Sequence, residues 1–331
     1  MNEVPETSRD FSRRAMAYLR LFRVSNVFTA MADVLMGFLV AHQVLTPWQP
    51  LVCLLFSSVC IYTAGMVLND VYDIEIDRVE RPERPLPAGD IPWSWARRLG
   101  FLLLGIGVLA ALASGAWTLA LVEGWLAWRG GLIALLLVGS VLLYDGVLKK
   151  TSVAPLVMGG CRFFNVLLGM SFAVSAAPAT ALLGYESHQW MIAGGFGCYI
   201  AGVTWFARTE AKVSSRWQLG LGVVTMTVGL LMLAWFPALV SENQKPTLLQ
   251  LPENIVFLLF MLLGVSIVYR CTVAVFDPVP QRVQMAVKNC LQSLIVLNAA
   301  VTACVADFTY AVLVLVLLVP MFALGRWFRS T

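Results

Sequence analysis

Residues 49–77 read QPLVCLLFSSVCIYTAGMVLNDVYDIEID, an apolar run to Leu68 that turns abruptly acidic at Asn69, Asp70, Asp73, Glu75 and Asp77. The apolar part has the length of a helix that crosses a bilayer. On a helix, residues four apart share a face, so Asn69, Asp73 and Asp77 line up, with Asp70 one turn before Asp73 and Glu75 pointing elsewhere. Like charges at this spacing repel, and more so where water is scarce, so a cation belongs among them. Mg²⁺ suits the arrangement because it takes oxygen ligands and uses one or two carboxylates together with substrate phosphate. The plainer alternative is a solvated polar turn at the membrane edge.

The next residues, 78–89, read RVERPERPLPAG. Pro82, Pro85 and Pro87 forbid a continuing helix, so the chain leaves the carboxylates as a stiff segment carrying Arg78, Arg81 and Arg84. Arginine meets phosphate oxygens through a planar fork. Carboxylates for a metal and guanidiniums for a diphosphate therefore lie side by side in the chain.

Of the 331 residues, 59% are hydrophobic and 13% charged, against about 25% charged in soluble domains. Apolar spans are expected near 25–42, 49–68, 97–121, 130–148, 153–176, 190–207, 218–240, 254–276, 283–304 and 308–326. The fold class is an all-α polytopic membrane protein. Lys288, Asn289, Gln292 and Asn298 interrupt the ninth span and mark it as an interior helix, with its polar groups turned from lipid. Residues 1–24 form a polar N-terminal segment with five arginines, unlike a cleaved signal peptide, and 25–331 read as a single transmembrane domain. With the N-terminus inside, the inner segments hold nearly all the Lys and Arg; the outer ones keep Arg129 and Lys245. This bias predicts an even number of spans, both termini and the motif loops on the cytoplasmic side, and residence in the cytoplasmic (inner) membrane. The net charge of +4 follows from that topology, and no nucleic-acid partner is expected. The seven cysteines lie in or beside apolar spans without a CxxC spacing and read as free packing thiols.

The run NDVYDIEIDRVERPERPLPAG resembles the first aspartate-rich motif and the following R-P-L-P-x-G turn of the UbiA superfamily of intramembrane prenyltransferases. Arg23-Val-Ser-Asn26 is similar to the family's R-P-x-N in the first helix, with Val24 in place of proline. Tyr144-Asp-Gly-Val-Leu-Lys149-Lys150-Thr151 resembles the family's tyrosine-then-basic loop after the fourth helix. The resemblance implies a bundle of nine to ten transmembrane helices around a central cavity open to the lipid bilayer. It implies Mg²⁺ as cofactor, and an isoprenoid diphosphate and a lipophilic, often aromatic, acceptor as partners. On that reading Asn69, Asp70, Asp73 and Asp77 hold Mg²⁺, with Asn26 assisting, while Arg78, Arg84, Lys149 and Arg208 contact diphosphate. Tyr144 or Asp145 orients the acceptor or takes its proton.

The family's second acidic motif, in the loop after the sixth helix, has no aspartate here: the segment reads TWFARTEAKVSSR over 204–216. Glu210 is the remaining carboxylate, a remnant metal ligand flanked by Arg208 and Lys212, which favour an anion. This loop, with Gly160–Asn165 (GCRFFN), is similar to the divergent EboC-like branch of the superfamily. Arg162, a charge inside a span, points to a contact with diphosphate or acceptor, or to pairing with Asp145 or a helix end. Two functions stay open: a Mg²⁺-dependent prenyltransferase, or a lipid-binding or transport protein that kept the fold and one metal site. A CDP-alcohol phosphotransferase is disfavoured, because Asp145-Gly146 is followed by Val-Leu-Lys-Lys rather than that class's x-x-A-R.

Overall fold

The computed structural model describes residues 15–119, 125–172, 182–208 and 215–327. Helices dominate these residues, and the one isolated β-bridge joins Leu182 to Tyr185. Residues 15–21 are helical and lead into α1 (Val24–His42), α2 (Trp48–Tyr72) and the short α3 (Ile74–Glu80). There follow α4 (Trp93–Leu119), α5 (Arg129–Leu143), α6 (Ala154–Gly169), α7 (Ser187–Ala207) and α8 (Arg216–Trp235). The chain ends with α9 (Glu253–Phe276), α10 (Pro280–Val305), α11 (Phe308–Val316) and α12 (Leu318–Trp327), the last two forming one span broken at Leu317. Among the described residues nine segments are long and apolar enough to cross a membrane, and α6 adds a shorter apolar helix. The chain is an all-helical integral membrane protein, as its composition requires.

The tenth helix is shorter than the expected span 153–176. α6 stops at Gly169, and Arg129, at the start of α5, occupies its end. The last carbonyls of a helix have no partner within it. In α6 the Leu167 carbonyl accepts from the Tyr185 hydroxyl at 2.9 Å, and just past the helix the Arg129 guanidinium donates to the carbonyl oxygens of Met170, Ser171, Phe172 and Gly184 and lies over the Tyr185 ring. A cation at this place also complements the negative end of the helix dipole.

α6 meets α1 at backbone contact. A Cβ on Gly169 would stand 2.6 Å from the Val34 carbonyl oxygen, and one on Gly37 would stand 2.7 Å from that of Val166. Small residues let membrane helices approach this closely and gain dispersion energy where no hydrophobic effect drives association. The contact sets the depth at which α1 and α6 present polar side chains to each other. The expected interior helix is α10, which packs on α1, α7 and α9. Asn298 is fully buried, whereas Lys288 is exposed and Asn289 accepts from Arg270 at 2.7 Å.

A second, smaller core supports the acidic motif. Ala17 and Leu21 of the N-terminal helix pack with Val67, Val71, Leu86, Ile91 and Ala96. The 84–91 turn closes on itself, with Ala88 N–H donating to Arg84 O and Asp90 N–H to Pro85 O. Gly89 sits at φ +78°, a conformation that costs glycine little. Leu86 and Ile91 thus anchor a proline-stiffened turn beneath α2 and fix where Arg84 emerges.

Candidate functional site

α2 and α3 meet at Asp73, whose backbone (φ −90°, ψ 4°) ends one helix and begins the next. The motif therefore straddles a joint instead of one continuous helix face, and its side chains divide among several partners. Arg84 donates to Asp70 at 3.2 Å and to Asp77 at 2.7 Å, and Arg23 donates to Asp70 at 2.9 Å. Lys149 pairs with Asp73, and the Asn69 amide donates to Asp145 Oδ1 at 2.8 Å. Asp70 and Asp77 are buried, and Asp73 is partly exposed. Three carboxylates thus face three cations, which offsets the repulsion that the sequence implied.

Local backbone explains two of these contacts. Arg23 sits between the N-terminal helix and α1 at φ 46°, a left-handed conformation uncommon for a residue with a Cβ; the break directs its side chain to Asp70. Residues Tyr144–Leu148 form a π-turn after α5, with the Lys149 N–H donating to Tyr144 O at 2.9 Å. Such one-residue expansions re-aim side chains and recur at functional sites. This one leaves Tyr144 and Asp145 on the cavity wall while Lys149 reaches Asp73.

A cavity of about 410 Å³ opens from this cluster into the bundle, walled by α1, α2, α5, α6, α7 and α10. Arg23, Asn26, Asn69, Tyr144 and Asp145 line its motif end; Gly65, Met66, Val141, Met158 and Val203 give it an apolar middle. Thr29, Ser58, Arg162 and Asn165 line its inner side, where the Thr29 hydroxyl donates to the Asn26 carbonyl at 2.8 Å. Ser58 precedes Asn69 by eleven residues on α2, a depth of about 16 Å at helical rise.

The profile of the UbiA prenyltransferase family matches residues 30–270. The chain belongs to this family. Among similar proteins, the digeranylgeranylglyceryl phosphate synthase of Sulfolobus acidocaldarius is 41% identical over 102 residues, 30% of this chain and 36% of that protein. The synthase of the same name from Methanoculleus marisnigri is 36% identical over 163 residues, 47% and 52% of the two chains. The matched segments thus span between a third and just over half of these relatives. A UbiA homolog from Archaeoglobus fulgidus, solved bound to GPP and Mg²⁺, superposes with a TM-score of 0.60 at 15% identity, covering 90% of this chain and 99% of that one. The UbiA fold is therefore the fold of this chain.

Of the residues singled out in the sequence, the UbiA bundle brings Asn26, Asn69, Tyr144 and Asp145 onto the cavity wall and gathers Asp70, Asp73, Asp77, Arg84 and Lys149 in ion pairs beside them. Arg162 lies on the wall, but its partner is neither Asp145 nor a helix end: it pairs with Asp33 of α1. Arg78 is turned outward and pairs with exposed Glu75 at 2.8 Å, away from the cavity. Arg208 ends α7, exposed, with Nη2 3.4 Å from the Lys150 carbonyl oxygen. Glu210 lies outside the described residues. Asp33 was not singled out; a lone Asp within the first apolar span was the available signal for it.

Among the described residues no three His, Cys, Asp or Glu side chains converge on one point as a metal site. The donor set nevertheless fits Mg²⁺ chemically, being three carboxylates and a carboxamide, all hard oxygen donors. The cations paired with those carboxylates are what a diphosphate takes.

Proposed function

We propose that the chain is a Mg²⁺-dependent intramembrane prenyltransferase that moves a prenyl group from an isoprenoid diphosphate to an aromatic or other lipophilic acceptor. The observation that carries this is the juxtaposition of three carboxylates and three cations beside Arg23, Asn69 and Asp145 of a cavity that has an apolar middle. Asn69, Asp70, Asp73 and Asp77 would hold Mg²⁺, with Asn26 alongside. Bound there, the metal would supply charge neutralisation for a departing diphosphate.

The chain's own cations do the rest. Arg23, Arg84 and Lys149, each resting on a carboxylate, are placed to transfer their donors to phosphate oxygens when a diphosphate arrives. Heterolysis of the allylic C–O bond leaves an allylic cation on the prenyl group and carries the bonding pair, one further negative charge, onto the diphosphate oxygens. Donors already fixed at that place stabilise the leaving group at little reorganisation cost. The apolar middle of the cavity excludes water, which would otherwise capture the cation. Tyr144 and Asp145 stand on the wall beside this point, and Asp145 is the carboxylate placed to take the acceptor's proton. The charge bias of the loops supports a cytoplasmic motif end, so a water-soluble diphosphate head would dock from that side while its chain lies in the bundle.

The test uses the purified chain with labelled geranylgeranyl diphosphate, Mg²⁺ or EDTA, and a panel of aromatic and lipid acceptors. Metal-dependent release of diphosphate with alkylation of an acceptor supports prenyl transfer. Metal-dependent binding with no release across the panel supports a lipid-handling protein instead.

A further inference from the structure

The inner side of the cavity, one helical turn beyond Asn26 on α1, is polar, and every charge on it is compensated. Arg162 pairs with Asp33, donates to the Thr29 carbonyl at 3.1 Å and lies 3.3 Å from the Thr29 hydroxyl. Asp33 is fully buried behind the wall and also accepts from Asn165 at 2.9 Å and Asn298 at 3.0 Å. Ser58 donates to Asn165 Oδ1 at 2.6 Å, and Asn165 donates to the Ala30 carbonyl at 3.1 Å. Thr29, Ser58 and Asn165 are all buried yet border the cavity. Four helices' worth of side chains, from α1, α2, α6 and α10, are committed to holding this surface, which marks it as built rather than incidental.

We propose that this network recognises the acceptor, and that it selects a head group that is uncharged and bears hydroxyl or carbonyl oxygen over one that carries a carboxylate or phosphate. The inference rests on the reading that prenyl transfer takes place in this cavity. Arg162 and Arg23 are the two cations on the wall, and both are already paired, with Asp33 and Asp70. An anion brought to Arg162 would enter the field of the Asp33 carboxylate, which three donors fix in place. It would also give up its hydration for a cation whose charge is spent. An uncharged oxygen loses far less on desolvation and can share the Arg162 guanidinium, which lines the cavity. The net-neutral Asp33–Arg162 pair thus acts as a polar contact with strong local dipoles and no net attraction for anions.

The experiment compares 4-hydroxybenzyl alcohol with 4-hydroxybenzoate, two probes of like shape that differ in charge, by equilibrium dialysis against the full chain in lipid nanodiscs. The wild type is expected to bind the alcohol at least tenfold more tightly. Asp33→Asn, which keeps shape and frees the arginine charge, is expected to bring the ratio to unity or reverse it. Asp33→Asn/Arg162→Gln, which removes both charges and leaves no lone ion in the bundle, is expected to keep the preference for the alcohol. The proposal is overturned if the wild type binds the benzoate as tightly as the alcohol, if it binds neither saturably, or if a folded Asp33→Asn leaves the ratio unchanged. Mg²⁺-dependent binding of geranylgeranyl diphosphate is measured on the same discs. Its loss in the wild type would sink the prenyltransferase reading while the alcohol-to-benzoate ratio still reports on the network.

Discussion

Arg84 donates to Asp70 at 3.2 Å and to Asp77 at 2.7 Å, so one guanidinium ties the end of α2 to α3 across the joint at Asp73. The turn that carries Arg84 is held by Leu86 and Ile91 in a small core of its own. The guanidinium therefore screens the carboxylates from one another, and on the proposed function it would also donate to a diphosphate oxygen.

Arg84 and Arg78 make a matched pair for testing that placement. Arg78 pairs on the exposed face of α3, where an ion pair contributes about 0–1 kcal/mol. Arg84→Ala removes the shared partner of two buried carboxylates. Its effect on Mg²⁺-dependent diphosphate affinity is expected to exceed that of Arg78→Ala at least tenfold, as measured by titration with labelled geranylgeranyl diphosphate.

Lys149 reaches Asp73 because of the π-turn at Tyr144–Leu148. Removing one fixed donor from a developing anion costs about a hundredfold or more in turnover. Lys149→Ala is expected to lower kcat by that order, with Lys149→Arg recovering part of it by keeping the charge. An unchanged kcat in Lys149→Ala would take this lysine out of the reaction.

The acidic motif and its proline-rich turn were legible because the spacing of the carboxylates, with prolines and arginines directly after them, outweighs the plainer reading of a solvated turn. The break at Asp73 was not, since the spacing of Asn69, Asp73 and Asp77 fits an unbroken helix equally well. The partner of Arg162 was missed for a related reason. A charge within a span signals a partner, but Asp33 lies 129 positions away and only the close approach of Gly37 and Gly169 brings the two together. Arg78 and Arg84 looked equivalent in the sequence; the direction of α3 and the fold of the 84–91 turn separate them. The end of α6 at Gly169 was not legible, because the groups that answer the backbone there, Arg129 and Tyr185, come from elsewhere in the chain.

Gly169 allows α1 and α6 to touch. A Cβ there would meet the Val34 carbonyl oxygen at 2.6 Å, and overpacking of this kind costs about 1–3 kcal/mol. Gly169→Ala is expected to lower the thermal midpoint in detergent, read by tryptophan fluorescence. A midpoint equal to wild type would show that the two helices can part without loss.

Arg129 answers four carbonyl groups at the end of α6 and the loop after it. Each buried acceptor left unpaired costs about 1–3 kcal/mol, so Arg129→Met is expected to destabilise the protein clearly in the same assay. Because Arg129 lies at the opposite end of the bundle from the motif, diphosphate binding per folded molecule is expected to persist.

The proposed function has the motif end of the cavity ionise an isoprenoid diphosphate with the help of Mg²⁺. It is tested most directly by following diphosphate release from labelled geranylgeranyl diphosphate in the presence of an acceptor panel, with Mg²⁺ or EDTA, in wild type and Asp73→Ala. Release that requires Mg²⁺ and falls at least about a hundredfold in Asp73→Ala is the predicted result. Release that survives EDTA, or that Asp73→Ala leaves untouched, would contradict it.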